Sequence, residues 1–140
     1  MKETMTKILR ILIVEDLPER QQQICNMYKE HAWVTTTIST HAIRLVNAYD
    51  FDLIHLDYNL AEQTTGLEVA ECLAKSRNAQ TQVVIHSMNP DGAKKMSQLI
   101  VNVEVIPISK LLKKDIYTKR LKEQLKKEQV NWNYVFKGYM

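Results

Sequence analysis

The chain has 140 residues, 45% of them hydrophobic, and a formal net charge of +3. That length suits one ordinary domain with a real core, and three glycines and three prolines leave no flexible linker. The polar N-terminus, followed by an apolar run that Arg10 interrupts, predicts neither a signal peptide nor a membrane span. Cys25 and Cys72 have no neighbours resembling a metal-ligand pair, so we expect two buried free thiols in a cytoplasmic protein.

Short apolar runs alternate with helical patterns along the chain. The run Arg10–Val14 is typical of a strand that is buried on both faces, and Pro18 favours a helix start soon afterwards. Ser39 and Thr40 are candidate N-caps of a second helix. The predicted strands cover residues 10–14, 33–38, 51–56, 82–87 and 103–108, and the later helices cover 67–74, 93–100 and 111 to about 128. Residues 89–92 are predicted to form a turn.

Five strands alternating with five helices predict a fold class. Such a pattern is typical of an α/β domain, with a five-stranded parallel sheet that is doubly wound and has helices on both faces. In such a sheet, ligands bind at the carboxyl ends of the strands.

Four predicted strands end on residues suited to phosphate chemistry: Glu15 with Asp16, then Asp57, Ser87 and Lys110. Three neighbouring carboxylates need a proton or a cation between them, and these hard oxygen ligands suit Mg²⁺ or Mn²⁺ better than zinc. A hydroxyl and an ammonium group could contact phosphoryl oxygens. The central carboxylate, Asp57, could attack phosphorus and form an acyl phosphate.

In this order and spacing, these residues resemble the receiver domain of two-component response regulators, the flavodoxin-like CheY fold. The resemblance extends from residue 9 to about 128. It implies metal binding by Glu15, Asp16 and Asp57, with Asn59 supplying a backbone carbonyl. It also implies that Asp57 accepts a phosphoryl group from a histidine kinase or phosphotransfer protein and then signals to a downstream protein partner.

Three features depart from the usual receiver pattern. Leu111 follows the lysine where receivers usually have proline, and Pro107 occupies the position of the aromatic switch residue. The loop after Asp57, residues 58–66, is slightly longer than typical. We expect the phosphate chemistry to survive these changes, whereas the aromatic switch could not operate.

A second resemblance lies in the segment from His86 through Ser87 and Asn89 to Gly92. The pattern His-Ser-x-Asn-Pro-x-Gly is similar to a receiver-like subfamily proposed to process cyclic phosphates, which implies that His86 is a general acid or base. Strand alternation argues against this role, because His86 should point away from the site if Ser87 points into it. Asn89 could equally be only a cap. The other histidines, which form no ligand cluster, are expected to be structural: His31, His41 and His55.

The C-terminal part of the chain is basic, with eight Lys or Arg against three Asp or Glu between residues 110 and 128. Leu121 and Leu125 form an apolar stripe there, which favours a solvated amphipathic helix over nucleic-acid binding. We expect one receiver-like domain over residues 1–128, followed by an aromatic tail over 129–140 that packs on the domain or binds a partner. The tail's aromatic residues are Trp132, Tyr134, Phe136 and Tyr139.

Three functional hypotheses follow from the sequence. The favoured one is a stand-alone receiver that is phosphorylated on Asp57, with no membrane association. The second is a metal-dependent phosphoesterase acting on cyclic phosphates, and the third is a degenerate receiver that acts as a protein-interaction module. His86→Ala separates the first two, because the esterase requires the imidazole and a receiver does not.

Overall fold

The chain folds around one parallel sheet of five strands in the order β2-β1-β3-β4-β5, in a computed structural model that describes residues 7–113 and 115–138. The strands are β1 (Arg10–Val14), β2 (Ala32–Thr36), β3 (Leu53–Leu56), β4 (Gln82–Ile85) and β5 (Val103–Val105). Every neighbouring pair is parallel. The predicted doubly wound α/β fold is therefore confirmed.

Seven α-helices connect or follow the strands in the described part of the chain. They are α1 (Pro18–Met27), α2 (Ser39–Ala48), α3 (Gly66–Leu73), α4 (Pro90–Ser97), α5 (Ile108–Leu111), α6 (Ile116–Gln124) and α7 (Trp132–Phe136). A 3₁₀ turn, Ala61–Gln63, lies between β3 and α3. None of the described helices is long and apolar enough to span a membrane.

The core lies in two layers, one on each face of the sheet, because side chains alternate along each strand. Ile13 and Val84 belong to the layer that packs on α1, α5, α6 and α7. Val14 and Ile85 belong to the opposite layer, which packs on α2, α3 and α4. Each apolar strand therefore contributes to both layers, which accounts for the continuous hydrophobic runs in the sequence.

The C-terminal end of the predicted fifth strand differs from the structure. Pairing stops after Val105, apart from one bond of 2.8 Å from the Ile106 amide to the Ile85 carbonyl. Pro107 has no N–H to donate and instead precedes α5, so Ile108 is buried as a helical residue. Lys110 consequently lies within α5, and the predicted helix from residue 111 is replaced by α5 and a separate α6.

Two helix starts also differ from the predictions. Asn89 is the N-cap of α4, with its side-chain oxygen 3.0 Å from the Gly92 amide, so the predicted turn is the first turn of this helix. Ile38, rather than Ser39 or Thr40, occupies the N-cap position of α2. Ser39 lies inside α2, where its hydroxyl donates to Glu68 at 3.0 Å.

The described part of the tail packs on the domain. Val135 and Phe136 are 1% exposed and belong to the same core layer as Tyr117. The Arg120 guanidinium donates to the Lys137 carbonyl at 2.6 Å. Tyr139 lies outside the described residues.

The two cysteines differ in burial. Both are free thiols, but Cys25 is buried and Cys72 is only half-buried. The prediction of two buried thiols was therefore wrong for Cys72, which lies on the partly accessible side of α3 and accepts a hydrogen bond from Asn47 at 3.4 Å.

Candidate metal centre

Three buried side chains converge at the carboxyl edge of the sheet. Glu15, Asp57 and His86 each offer one ligand atom, and these atoms all lie within 4.8 Å of one another. Backbone hydrogen bonds place them: the Asp57 amide donates to the Val14 carbonyl at 3.0 Å and the His86 amide donates to the Leu56 carbonyl at 3.2 Å. The ends of β1, β3 and β4 thus bring two carboxyl groups and an imidazole together.

Glu15 has no exposed surface, and both of its carboxyl oxygens are hydrogen-bonded. Oε1 lies 2.9 Å from His86 Nε2, and Oε2 accepts from the Leu17 amide at 3.0 Å. Burial by itself would raise the pKa of Glu15, but the hydrogen bonds from His86 and Leu17 outweigh it and the pKa is lowered. Glu15 is therefore a carboxylate whose Oε1 accepts a hydrogen bond from His86 Nε2.

Asp57 is 3% exposed, and the interactions that favour its charged form do not outweigh the cost of burying it. Burial raises its pKa and the negative charge of Glu15 adds to the rise, although His86, the Tyr58 amide and Ser87 oppose it. The Tyr58 amide donates to Oδ1 at 2.8 Å. A bound cation would remove the mutual repulsion of the two carboxylates, so the electrostatics of the site suit a metal ion.

The two acids that follow β1 have different environments. Asp16 is half-buried and is not one of the three converging side chains. Burial raises the pKa of Asp16, and the neighbouring Glu15 raises it further. The sequence predicted an equal pair of metal ligands, whereas the structure buries Glu15 and leaves Asp16 partly in water.

The remaining predicted site residues are divided between the interior and the surface. Ser87 is buried and its hydroxyl accepts from the Asn89 amide at 3.0 Å, while its hydrogen bond to Asp57 lowers the pKa of that carboxyl. Asn59 is exposed and pairs with Thr65 in an isolated bridge. Lys110 is exposed on α5, and no described carboxylate forms an ion pair with it.

The position of His86 contradicts the expectation that it points away from the site. Glu15, Asp57 and His86 each come two residues after a residue on the same face of the sheet: Ile13, His55 and Val84. Alternation therefore places the imidazole on the same face as the two carboxylates. The expectation was wrong because it used Ser87, rather than Glu15 and Asp57, to decide which face of the sheet carries the site.

Two further residues, Tyr28 and His55, lie behind this cluster and were not predicted to belong to it. The Tyr28 hydroxyl is 2.6 Å from His55 Nε2, and the ring centroids of His55 and His86 are 6.0 Å apart. Burial raises the pKa of Tyr28 and lowers that of His55 well below its usual value, so both side chains are neutral at pH 7. The available sequence signal was that His55 lies two residues before Asp57, on the same face.

The loop after Asp57 is held close to the site. The Gly66 amide donates to the Tyr58 carbonyl at 2.7 Å, and a Cβ at Gly66 would lie 2.1 Å from the Asp57 carbonyl oxygen. Glu62 and Gln63 have φ values of 57° and 59°. The longer loop is thus closed by left-handed residues and by a close contact that only glycine allows.

The donor set indicates which cations fit. Two carboxylates satisfy a hard divalent ion such as Mg²⁺, while an imidazole nitrogen in the same set also suits Mn²⁺ and softer transition metals. The expected preference for Mg²⁺ or Mn²⁺ is compatible with these donors.

Comparisons with known proteins agree with this geometry. The profile of a family described as "Cyclic-phosphate processing Receiver domain" matches residues 10–102. No curated protein matches the chain significantly.

Solved structures of receivers share the fold. RcpA, a phosphorylated cyanobacterial phytochrome response regulator, is 27% identical over 76% of this chain and 87% of its own, with a TM-score of 0.61. The receiver domain of a sensor histidine kinase from Pseudomonas aeruginosa PAO1, with magnesium in its active site cleft, is 18% identical over 86% and 98% of the two chains, with a TM-score of 0.66. The Mn²⁺-bound response regulator Rcp1 is 22% identical over 71% and 80%, with a TM-score of 0.60.

The predicted resemblance to CheY-like receivers is confirmed by these matches. Because the family profile covers more than half of the chain and the structure has the receiver fold, the chain belongs to the cyclic-phosphate processing receiver family.

Proposed function

We propose that this protein is a metal-dependent phosphoesterase that opens cyclic phosphodiesters. The observation that carries the proposal is the buried imidazole of His86, which lies within 4.8 Å of both carboxyl groups and is bound to Glu15 at 2.9 Å. Accepting a phosphoryl group on an aspartate does not require a histidine there. Opening a cyclic phosphate does require a proton donor for the leaving oxygen.

The carboxylates of Glu15 and Asp57 would hold the metal ion, and His86 Nε2, which is hydrogen-bonded to Glu15, would remain off the ion to handle protons. When bound, the ion would polarise a phosphoryl oxygen and lower the pKa of a coordinated water. Asp16, through water, and the Asn59 carbonyl would complete its coordination. The receivers of known structure that were solved with magnesium and manganese support this choice of cations.

The Glu15–His86 pair would handle the protons of the reaction. Water attacks phosphorus, its oxygen forms the new P–O bond, and the P–O bond to one ring oxygen breaks. His86 Nε2 donates a proton to that leaving oxygen, and the proton lost by the attacking water returns to the Glu15–His86 pair. Ser87 and Lys110 would contact the remaining phosphoryl oxygens.

A second candidate function is phosphoryl acceptance on Asp57 from a histidine kinase or phosphotransfer protein. The burial of Asp57 beside Ser87 favours it, as does the likeness to the phosphorylated RcpA. Pro107 lacks the aromatic ring of the usual switch, so a downstream protein partner would have to recognise a different conformational change. The third candidate function is binding of a partner protein without phosphorylation, which would remain if neither reaction is observed.

The first test follows a 2′,3′-cyclic nucleotide by ³¹P NMR with metal-stripped protein reloaded with Mn²⁺ or Mg²⁺. We expect conversion to a phosphate monoester that requires the metal, with the rate falling about 100-fold or more in His86→Ala. His41→Ala is the matched control, because His41 is exposed on α2 and should leave the rate unchanged. Absence of conversion with either metal would contradict the phosphoesterase.

The second test measures intact mass after incubation with acetyl phosphate and Mg²⁺. A phosphoryl adduct that disappears in Asp57→Asn but persists in His86→Ala, without any hydrolysis of cyclic phosphate, would support the receiver function instead. Activity in neither assay would favour the protein-interaction module.

A further inference from the structure

Three large side chains with apolar surface lie beside the metal centre and are in contact with water. Leu17 and Met88 are 44% and 58% exposed, and Tyr58 is half-buried. Each follows one of the three converging site residues by one or two positions in the chain. Because consecutive Cα atoms are about 3.8 Å apart, each Cα lies within about 8 Å of the Cα of a site residue. Three separate loops therefore bring one such residue each to the same site, and we call this set the apolar rim.

Leucine is an unfavourable choice for the position that Leu17 occupies. Leu17 is the N-cap of α1, where a side chain with an acceptor oxygen is preferred, and its side chain makes no capping hydrogen bond. Almost half of its surface is exposed, so it gains little from packing. Its amide donates to Glu15 Oε2 at 3.0 Å, which holds the residue beside the site. A leucine that neither caps its helix nor is buried is suited to contact with a molecule outside the chain.

Tyr58 and Met88 lie on two adjacent segments at the same edge of the sheet. The Tyr58 amide donates to Asp57 Oδ1 at 2.8 Å. A Cβ at Gly92 would lie 2.4 Å from Tyr58 Cγ, so the ring packs directly on the glycine in the first turn of α4. Met88 comes four residues before this glycine, just ahead of the same helix. An aromatic ring and a flexible thioether therefore both border the site.

The size of the apolar rim favours a small planar group over a protein as its occupant. Single exposed apolar side chains are common on soluble proteins, but here three of them border one site. A stable protein interface takes about 20–30 residues from each partner, whereas the rim has only its three members. These residue types suit an aromatic ring, because tyrosine stacks on planar groups and methionine sulfur makes favourable contacts with them.

We propose that the apolar rim determines the specificity of the site by binding an aromatic base carried by the cyclic phosphate. The preferred substrates are nucleoside cyclic phosphates, rather than cyclic phosphates of small polar alcohols. The metal centre binds the phosphate group that both kinds of compound share, and the rim binds the base that only the nucleosides have. This inference rests on the proposed function, since it names the substrate class of the same site.

The first experiment compares adenosine 2′,3′-cyclic phosphate with glycerol 1,2-cyclic phosphate, which has the same kind of phosphate ring but no base. ³¹P NMR with the Mn²⁺-loaded protein gives kcat/KM for each compound. We expect the wild type to prefer the adenosine compound about 10-fold or more, as base stacking on a protein side chain commonly provides. Met88→Ser and Tyr58→Leu should each lower this preference, mainly through KM.

Val101→Ser is the matched control for these variants. Val101 is 64% exposed, but it lies just before β5 and therefore at the opposite edge of the sheet from the site. The preference for the adenosine compound should be unchanged in this variant. Equal kcat/KM values for the two compounds in the wild type, or a preference that Met88→Ser and Tyr58→Leu leave unchanged, would overturn the inference.

Leu17→Ser separates contact with the base from a structural role. Serine is a favourable N-cap, so we expect the urea midpoint to stay the same or to rise, while the preference for the adenosine compound falls. A lower midpoint with an unchanged preference would show that Leu17 stabilises the fold and does not contact the base.

A binding experiment without turnover distinguishes the failure of this inference from the failure of the phosphoesterase. Adenosine 2′-monophosphate and glycerol 2-phosphate are each titrated into the Mg²⁺-loaded protein by calorimetry. If no cyclic phosphate is hydrolysed, but the adenosine compound binds more tightly and Met88→Ser removes the difference, the phosphoesterase is refuted and the rim remains a base-binding site. If cyclic phosphates are hydrolysed but the two compounds bind equally, only the role of the rim is refuted.

Discussion

Gly66 is the position at which one methyl group should disturb both the fold and the site. A Cβ there would lie 2.1 Å from the Asp57 carbonyl oxygen and 2.7 Å from the Met96 sulfur. Ordinary carbon–oxygen contacts are about 3.3 Å or longer, so the two backbones would have to separate by about 1 Å. Both are held by hydrogen bonds, at 2.7 Å from Gly66 to Tyr58 and 3.0 Å from Asp57 to Val14.

The expected change in the free energy of unfolding for Gly66→Ala is the balance of two opposing effects. Alanine in place of glycine favours a helix by up to about 1 kcal/mol, and Gly66 is the first residue of α3. Overpacking against backbone typically costs about 1–3 kcal/mol, and the contact here is at the severe end of that range. We expect the free energy of unfolding to fall by about 2 kcal/mol, and metal affinity to fall because Asp57 moves.

Urea denaturation followed by circular dichroism measures the first effect, and metal titration measures the second. Gly92→Ala is the matched control: its added Cβ would lie 2.4 Å from Tyr58 Cγ, which belongs to a half-buried side chain rather than to the backbone. Gly92→Ala should therefore cost less than Gly66→Ala, and adding Tyr58→Ala should recover most of its loss. A midpoint for Gly66→Ala at or above that of the wild type would refute the steric argument.

Three further perturbations follow from other contacts. Asp52 accepts three hydrogen bonds from Arg10. Burial raises the pKa of Asp52, but these hydrogen bonds outweigh it and lower the pKa below the ordinary 3.8. Asp52→Asn should therefore lower the free energy of unfolding by about 1 kcal/mol at pH 7. The stabilisation by Asp52 is present above the unfolded-state pKa and is lost as pH falls through the lower folded-state pKa. The unfolding free energies of the wild type and Asp52→Asn, measured by urea titration, should therefore converge in acid. A difference between them that does not change with pH would contradict the assignment. Asn89→Ala removes the N-cap of α4 and should lower stability by about 1 kcal/mol in the same assay, whereas an unchanged midpoint would show that the cap contributes nothing. Phe136→Ala should cost about 3–5 kcal/mol in thermal unfolding, because the ring is 1% exposed; a loss below 1 kcal/mol would mean that α7 is not part of the stable core.

The sequence was sufficient for the strands that continuous apolar runs define. Arg10–Val14 was predicted with both bounds correct, because Glu15 and Asp16 end the apolar run where the strand pairing ends. Residues 103–108 were predicted as one strand although only the first three pair with β4. An apolar residue such as Ile108 is equally suited to a buried strand or a buried helix turn, so hydrophobicity alone does not show where pairing stops.

The start of α4 shows a different limit. Asn89 and Pro90 are typical both of a turn and of a helix N-terminus, since a side-chain acceptor and a fixed φ suit either structure. What decides between them is burial of Ala93 and Met96 against the sheet. That contact depends on the tertiary fold and leaves no local signature.

For the candidate site, the sequence predicted that Glu15 and Asp57 lie together, but it did not predict that His86 joins them. The alternation of side chains along a strand shows which residues of that strand share a face. It places Glu15, Asp57 and His86 on one face of the sheet only after the register between β1, β3 and β4 is known. Lys110 was predicted at a strand end, yet it lies within α5, beyond the end of β5. Sequence order and spacing thus indicated the chemistry, while the pairing of Glu15 with His86 depended on the three-dimensional arrangement.

The left-handed pair in the loop after β3 has a consequence for protein engineering. Glu62 and Gln63 hold positive φ values that cost an L-amino acid with a Cβ about 1 kcal/mol each relative to glycine. Both side chains are exposed, so they gain little packing in return. Replacing Gln63 by glycine or asparagine, which adopt positive φ more readily, should therefore stabilise the protein without changing the core. Thermal unfolding of Gln63→Gly and Gln63→Asn would measure the gain.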